Sequence, residues 1–193
     1  RFSSRLTAKY AYYDTHYVSN DTTTMLIDNY YKQQEVYVSL ANVYEILKGW
    51  SASVSYDFKW NKLNSDLRNF VFPRRYSHYV SVATAYDGKV VKVQGSLLGT
   101  FVKDNATNQA GRSAVSMVTP AAFVSVYPFS SPAFALRAFA KKSFRMPTFN
   151  ELYYTEVGNA SLKPETAIQY NLGFVLSTDS GPSWLGSLSL QAD

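Results

Sequence analysis

Trp50-Ser51-Ala52-Ser53-Val54-Ser55-Tyr56-Asp57-Phe58-Lys59-Trp60-Asn61 alternates apolar and polar residues without a slip. Trp50, Ala52, Val54, Tyr56, Phe58 and Trp60 fall on one face; the serines, Asp57, Lys59 and Asn61 fall on the other. Only a β-strand sorts these two sets cleanly, because successive strand side chains point to opposite faces. Twelve residues is long for a strand, whose usual length is about 5–6. The two tryptophans share a face ten residues apart, roughly 34 Å along an antiparallel strand. Tilted by about 40°, that is roughly 26 Å, close to the apolar band of an outer-membrane barrel with its aromatic girdle at each rim.

The same period-two pattern recurs on both sides of this stretch. Phe2, Leu6, Ala8, Tyr10 and Tyr12 oppose Arg5, Thr7, Lys9 and Tyr13, and Val36, Val38, Leu40, Tyr44 and Ile46 oppose Glu35, Tyr37, Ser39 and Glu45. Val80, Val82 and Tyr86 oppose Ser77, Tyr79 and Ser81; Val91, Val93, Leu97 and Phe101 oppose Lys92, Gln94, Ser96 and Thr100. Ala122, Val124 and Val126 then oppose Ser125 and Tyr127; Phe134, Leu136, Ala138 and Ala140 oppose Arg137 and Lys141; and Ile168, Tyr170, Leu172, Phe174 and Leu176 oppose Gln169, Asn171, Gly173 and Ser177. With a last segment from about Ser183, the pattern predicts about nine strands in an all-β, antiparallel, up-and-down meander.

The predicted connections alternate long and short. Asp14 to Tyr31, Lys62 to Pro73, Lys103 to Met117 and Ser143 to Lys163 are long. The links near Leu47-Lys48-Gly49, at Asp87-Gly88 (a two-residue turn), at Pro128 to Pro132 and at Asp179 to Pro182 are short. Outer-membrane barrels follow this rule, and soluble sheets rarely do. No composition shift or linker divides the chain, so residues 1–193 read as one domain.

Composition narrows the function. Of 193 residues, 46% are hydrophobic and 16% aromatic, with 16 Tyr and 12 Phe; mean hydropathy is −0.20, and no apolar run approaches a membrane helix. The net charge is +5, but the 19 Lys and Arg are scattered singly, which argues against nucleic acid as a partner. There are no cysteines, hence no disulfide or thiolate metal site. No nucleophile elbow, phosphate-binding glycine loop or metal-spaced His and carboxylate cluster is present. Neither an enzyme nor a bound cofactor or metal is expected. No export signal stands at Arg1-Phe2-Ser3.

A second stretch carries a resemblance. Phe144-Arg145-Met146-Pro147 and Asn150-Glu151-Leu152-Tyr153 precede Gly158-Asn159-Ala160-Ser161-Leu162-Lys163-Pro164-Glu165 and then Tyr170-Asn171-Leu172-Gly173. This is similar to the pattern Phe-Arg-x-Pro, Asn-Glu-Leu-Tyr, Gly-Asn-x-x-Leu-Lys-Pro-Glu of TonB-dependent outer-membrane receptors. The residues also have a local reading. Pro147 ends a rising strand because it lacks an N–H. Thr148 and Glu151 have the spacing of a capping box, which starts one short helical turn. Gly158-Asn159 is a turn signal, and Pro164 forces Lys163 into an extended conformation. The motif Phe144, Arg145, Pro147, Asn150, Glu151, Leu152, Tyr153, Asn159, Leu162, Lys163, Pro164 and Glu165 is therefore expected to fold a loop against the barrel rim.

The resemblance implies a fragment of a 22-stranded transmembrane barrel in the bacterial outer membrane. It implies uptake of a scarce bulky nutrient such as an iron chelate, haem, cobalamin or an oligosaccharide. The partners it implies are outer-membrane lipid and the TonB complex, the latter reached through a plug domain. Plug, TonB-contacting segment and terminal aromatic strand are not found in this sequence, and an isolated fragment is expected to self-associate through raw sheet edges. Haem-uptake members carry Asn-Pro-Asn-Leu and a histidine ligand in this region; here Asn159-Ala160-Ser161-Leu162 stands instead, with no histidine in 144–162. That departure argues against haem. His16 and His78 read as surface residues.

Substrate-facing candidates are Arg137, Lys141 and Arg145, which share one parity, with Arg74, Arg75 and Arg68 as further parts of a cationic vestibule. Tyr153, Tyr154, Phe70 and Phe72, with Asn159, are candidates to meet a ligand from the loops, or else to pack the loops together. The competing function is a soluble β-rich adhesion or carbohydrate-binding module whose tyrosines form the binding face.

Overall fold

The computed structural model describes residues 1–19, 27–107, 113–129, 133–154, 158–178 and 188–192. These form a single sheet in sequential order: β1 (Phe2–Ser19), β2 (Ile27–Leu47), β3 (Trp50–Ser65), β4 (Arg74–Asp87), β5 (Val91–Asn105), β6 (Val115–Val126), β7 (Phe134–Arg145), β8 (Glu165–Thr178) and β9 (Leu188–Ala192). Every neighbouring pair is antiparallel. A five-residue helix, α1 (Phe149–Tyr153), interrupts the β7–β8 connection. The predicted meander is therefore observed.

Register assigns the two faces. Trp50, Val54, Phe58 and Trp60 pair with Tyr86, Val82, His78 and Tyr76 on β4, and Val82 and His78 pair with Leu97 and Phe101 on β5. Residues directly opposite in an antiparallel ladder share a face, so one apolar face runs across the strands. Much of it is bare: Leu97 is 54% exposed, Leu172 77% and Tyr170 78%. A soluble monomer rarely exposes so large a contiguous apolar patch. The opposite face carries Ser51, Ser53, Ser55, Asp57, Lys59 and Asn61 with their partners Ser77, Tyr79, Ser81 and Arg75.

The β1–β2, β3–β4, β5–β6 and β7–β8 connections lie at one end of the strands. There the core sits on the polar face, not the apolar one: Tyr31, Leu63, Phe70 and Phe149 are buried together, with Tyr17, Leu67, Tyr153 and Tyr154 packed around them. At the other end, Gly49 takes φ 81° in the β2–β3 turn, and a Cβ there would lie 2.7 Å from the Asp87 carbonyl oxygen. The left-handed conformation and the close approach both favour glycine. A register shift between Glu45 and Leu47 inserts Ile46 as an extra residue.

Details differ from the sequence expectation. The β4–β5 link is three residues, Gly88 to Val90, closed by Gly88 N–H to Val91 O at 3.0 Å. Strands run further toward the long-loop end than patterning gave, β1 to Ser19 and β3 to Ser65, because cross-strand hydrogen bonding continues after hydrophobic alternation fades. The expected β8–β9 turn at Asp179 to Pro182 and the expected strand start near Ser183 both lie outside the described residues; β9 is described over Leu188–Ala192.

Candidate loop buttress and polar-face site

The motif after β7 folds as its local chemistry dictates. Thr148 caps α1: its hydroxyl accepts from Glu151 N–H at 3.3 Å, and Glu151 Oε2 accepts from Thr148 N–H at 2.7 Å. Arg145 ties three segments together. Its Nη1 donates to Glu151 Oε1 at 2.9 Å, while Nη2 and Nε donate to Glu165 Oε1 and Oε2 at 3.1 and 3.2 Å. One planar guanidinium thus joins the end of β7, the start of α1 and the start of β8, a geometry that lysine cannot reproduce. The Thr148 backbone N–H, and then Arg145, hold the Glu151 carboxyl below the usual carboxylate range.

Beneath α1, Phe149 and Leu152 are buried. Arg75, on the polar face of β4, makes a two-pronged pair with Asp104 at 2.7 and 2.7 Å and donates Nη1 to the Pro147 carbonyl at 2.6 Å. Its guanidinium also lies 5.1 Å from the Phe149 ring centre. Both ions are buried, so the pair is tolerable only because its donors and acceptors are satisfied. A cavity of about 110 Å³ remains between helix and sheet, lined by Gln33, Lys59, Asn61, Arg75, Thr148 and Phe149.

The loop tyrosines pack inward. Tyr154 stacks on Tyr31, centroids 3.9 Å apart and 11° from parallel, and burial pushes its hydroxyl pKa up. Tyr153 tilts against Phe149 at 5.9 Å. Asn159 closes the turn: its N–H donates to Glu151 O at 2.7 Å, and its side-chain oxygen accepts from Ser161 N–H at 2.9 Å. Leu162 N–H donates to Asn159 O. Asn150, Lys163 and Pro164 lie along the same excursion, and Pro164 immediately precedes β8. Phe144 shares a face with Thr166 at the top of the β7–β8 ladder.

The six cations considered as a vestibule do not assemble. Arg74 is on the apolar face, opposite Lys62. Arg75 and Arg145 are occupied by carboxylates, and Arg68 is exposed in the β3–β4 loop. Arg137 and Lys141 remain on the polar face, opposite Gly173 and Gln169, and Lys141 Nζ lies 5.6 Å from the Phe139 ring centre. Phe70 is buried, whereas Phe72 is 39% exposed with φ 44°, a backbone conformation rare for an aromatic residue. His16 pairs with Asp28 at 2.6 Å, and His78 accompanies Tyr56 on the apolar face at 2.8 Å.

Sequence reasoning missed a polar-face network: Glu35 accepts from Lys59 at 2.7 Å and Asn61 at 2.9 Å, with Lys9 at 3.8 Å. Parity placed all four inward; only register brings them together. No group of three or more potential metal ligands occurs among the described residues.

The family model described as "TonB dependent receptor-like, beta-barrel" matches residues 1–190. No curated protein matches the sequence. Among solved structures, the copper transporter OprC aligns at 11% identity and TM-score 0.62 over 91% of this chain and 34% of its own. A double mutant of the Serratia marcescens hemophore receptor HasR, in complex with its hemophore HasA and heme, aligns at 14% identity and TM-score 0.54 over 92% of this chain and 37% of its own. At these identities the likeness is one of fold, and the chain spans about a third of each structure.

Proposed function

This chain belongs to the TonB-dependent receptor β-barrel family, and on that premise we propose that it forms part of the wall of a bacterial outer-membrane channel for a scarce, bulky nutrient. The observation that carries the reading is the separation of faces: an apolar face extends across the strands, while the β3–β4 and β7–β8 connections, at one end, fold over the polar face. In this reading the apolar face meets lipid and the polar face lines the lumen. The motif from Phe144 to Glu165 braces the lumen mouth instead of contacting cargo.

Arg137 and Lys141 then become the wall cations left to attract an anionic chelate or sugar acid. Residues 1–193 act as one partial barrel domain, completed by further strands and by a plug that couples to the TonB complex. The family and the similar structures are receptors and transporters, so the role proposed is uptake and not catalysis. A soluble binding module is disfavoured by the bare apolar face, which such a module would have to bury.

Whole cells carrying the full receptor provide the test. Candidate labelled nutrients (a ferric chelate, a copper chelate, haem, cobalamin and an oligosaccharide) are offered with the TonB complex intact or deleted. Accumulation of one of them only when TonB is present is expected. Equal accumulation in both strains, or of none of them, would overturn the proposal.

A further inference from the structure

We propose that Lys62, Arg74 and Lys103 form a binding site for the phosphate headgroup of a membrane lipid, on the apolar face at its long-loop rim. The inference rests on the barrel reading above and adds to it a defined site with a defined ligand chemistry.

Three observations converge. The first is face and height. Lys62 pairs directly with Arg74, and the next pair on the same face is Trp60 with Tyr76. Tyr76 in turn pairs with Lys103. The cations therefore stand within roughly 7 Å, two residues of strand, of an aromatic pair. A second aromatic pair, Trp50 with Tyr86, closes the opposite end of the face. Aromatic side chains at both ends of an apolar strand face mark the two membrane–water interfaces, so the three cations lie at headgroup level.

The second observation is charge. Like charges directly opposite in a ladder repel, and Lys62 faces Arg74 across the β3–β4 pair. None of the three has an acidic partner among the described residues. The remaining cross-strand neighbours are neutral, Gln34 beside Lys62 and Asn105 beside Arg74. Lys32, further toward the loops, differs because Asp14 is its cross-strand neighbour. On the polar face Lys59, Arg75 and Arg145 meet carboxylates, whereas Arg137 and Lys141 face Gly173 and Gln169.

The third is ligand chemistry. A planar guanidinium presents a fork that matches phosphate oxygens, and flanking ammonium groups add point charges. Gln34 and Asn105 supply neutral donors on either side. A phosphomonoester anchored by acyl chains would lay those chains along Phe58, Val80 and Phe101, which continue the face away from the rim. The membrane source of the phosphate follows from that continuity.

The test uses the full receptor in mild detergent, with native mass spectrometry reading retained lipid. Phosphatidic acid is compared with diacylglycerol of the same chains, and inorganic phosphate is added as a competitor. Retention of phosphatidic acid over diacylglycerol is expected. It should fall about tenfold or more in K62Q/R74Q/K103Q, weaken with salt, and be unchanged in K48Q/K89Q, which removes cations at the opposite end. If the triple variant does not fold, R74Q alone carries the comparison, with about a threefold loss expected. Three results would overturn the site: equal retention of both lipids, wild-type retention by the variant, or displacement of the lipid by equimolar inorganic phosphate. Protease protection of the strands in bilayers reads insertion separately. A receptor that inserts but ignores the phosphate refutes this inference alone.

Discussion

At the residue scale, the chemistry of the loop buttress divides by sequence distance. Thr148 and Glu151 were legible as a capping box because three residues suffice to define it. Arg75 was legible only as a charge: its carbonyl partner at Pro147 lies 72 residues away, and patterning contains no such distance. Removing Arg75 leaves Asp104 buried and unpaired, so R75A should destabilise the receptor by about 3–5 kcal/mol. The double variant R75M/D104L should recover much of that loss. Denaturant unfolding in detergent micelles, followed by tryptophan fluorescence, measures both.

Glu151 gives a pH prediction at the same scale. Its folded pKa is depressed, so its contribution is present above the unfolded carboxylate value, near 4.5. That contribution is lost as pH falls from there through the lower folded value. Amide exchange in 148–154 and 158–162, corrected for intrinsic rates, should therefore stay slow at pH 7 and quicken only below about pH 4.5. Exchange that quickens between pH 7 and 5 would point to another group. Gly158 has no room for a side chain: a Cβ would collide with the Tyr154 carbonyl oxygen. G158A should loosen the turn by about 1–3 kcal/mol, visible as faster exchange at Asn159 and Ser161.

At the scale of elements, strand parity was fully legible and strand ends were not. Side-chain alternation reports burial, whereas a strand ends where its hydrogen bonds stop. The β6–β7 ladder shows the difference. It pairs only Ala121 to Val126 with Leu136 to Lys141, although β6 begins at Val115 and its ladder with β5 runs the full strand. Pairing with β7 ceases next to Pro120, which has no N–H to give. Amides of Val115 to Val118 should therefore divide into slow ones facing β5 and fast ones facing β7, while 121–126 stay uniformly slow. Uniform protection along β6 would contradict the ladder described here.

At the scale of the molecule, loop alternation predicted the meander, and the meander is what the chain forms. The vestibule was only partly legible, because for two of its cations it depended on partners that parity does not show. Arg74 lost its place through parity alone, and Arg75 and Arg145 through partners on other strands. The two faces make a further prediction. L97R places a charge on the apolar face and should cost about 2–4 kcal/mol of bilayer stability if it lies near the midplane. S96R, one residue away on the polar face, should cost far less. Heat-modifiable gel mobility of the refolded receptor distinguishes them, and equal losses would contradict the assignment of faces.

The extra residue at Ile46 shows how such a wall can change over generations. Deleting one residue from the middle of a strand would swap greasy and wet surfaces for everything beyond it. Inserting two would keep phase but push the belt of rings out of level. At Ile46 the ladder is about to end, so only Leu47 feels the slip, and both Leu47 and its partner Trp50 are hydrophobic. Hairpin tips are thus where this architecture tolerates changes of length, while the interiors of its strands drift by replacement alone.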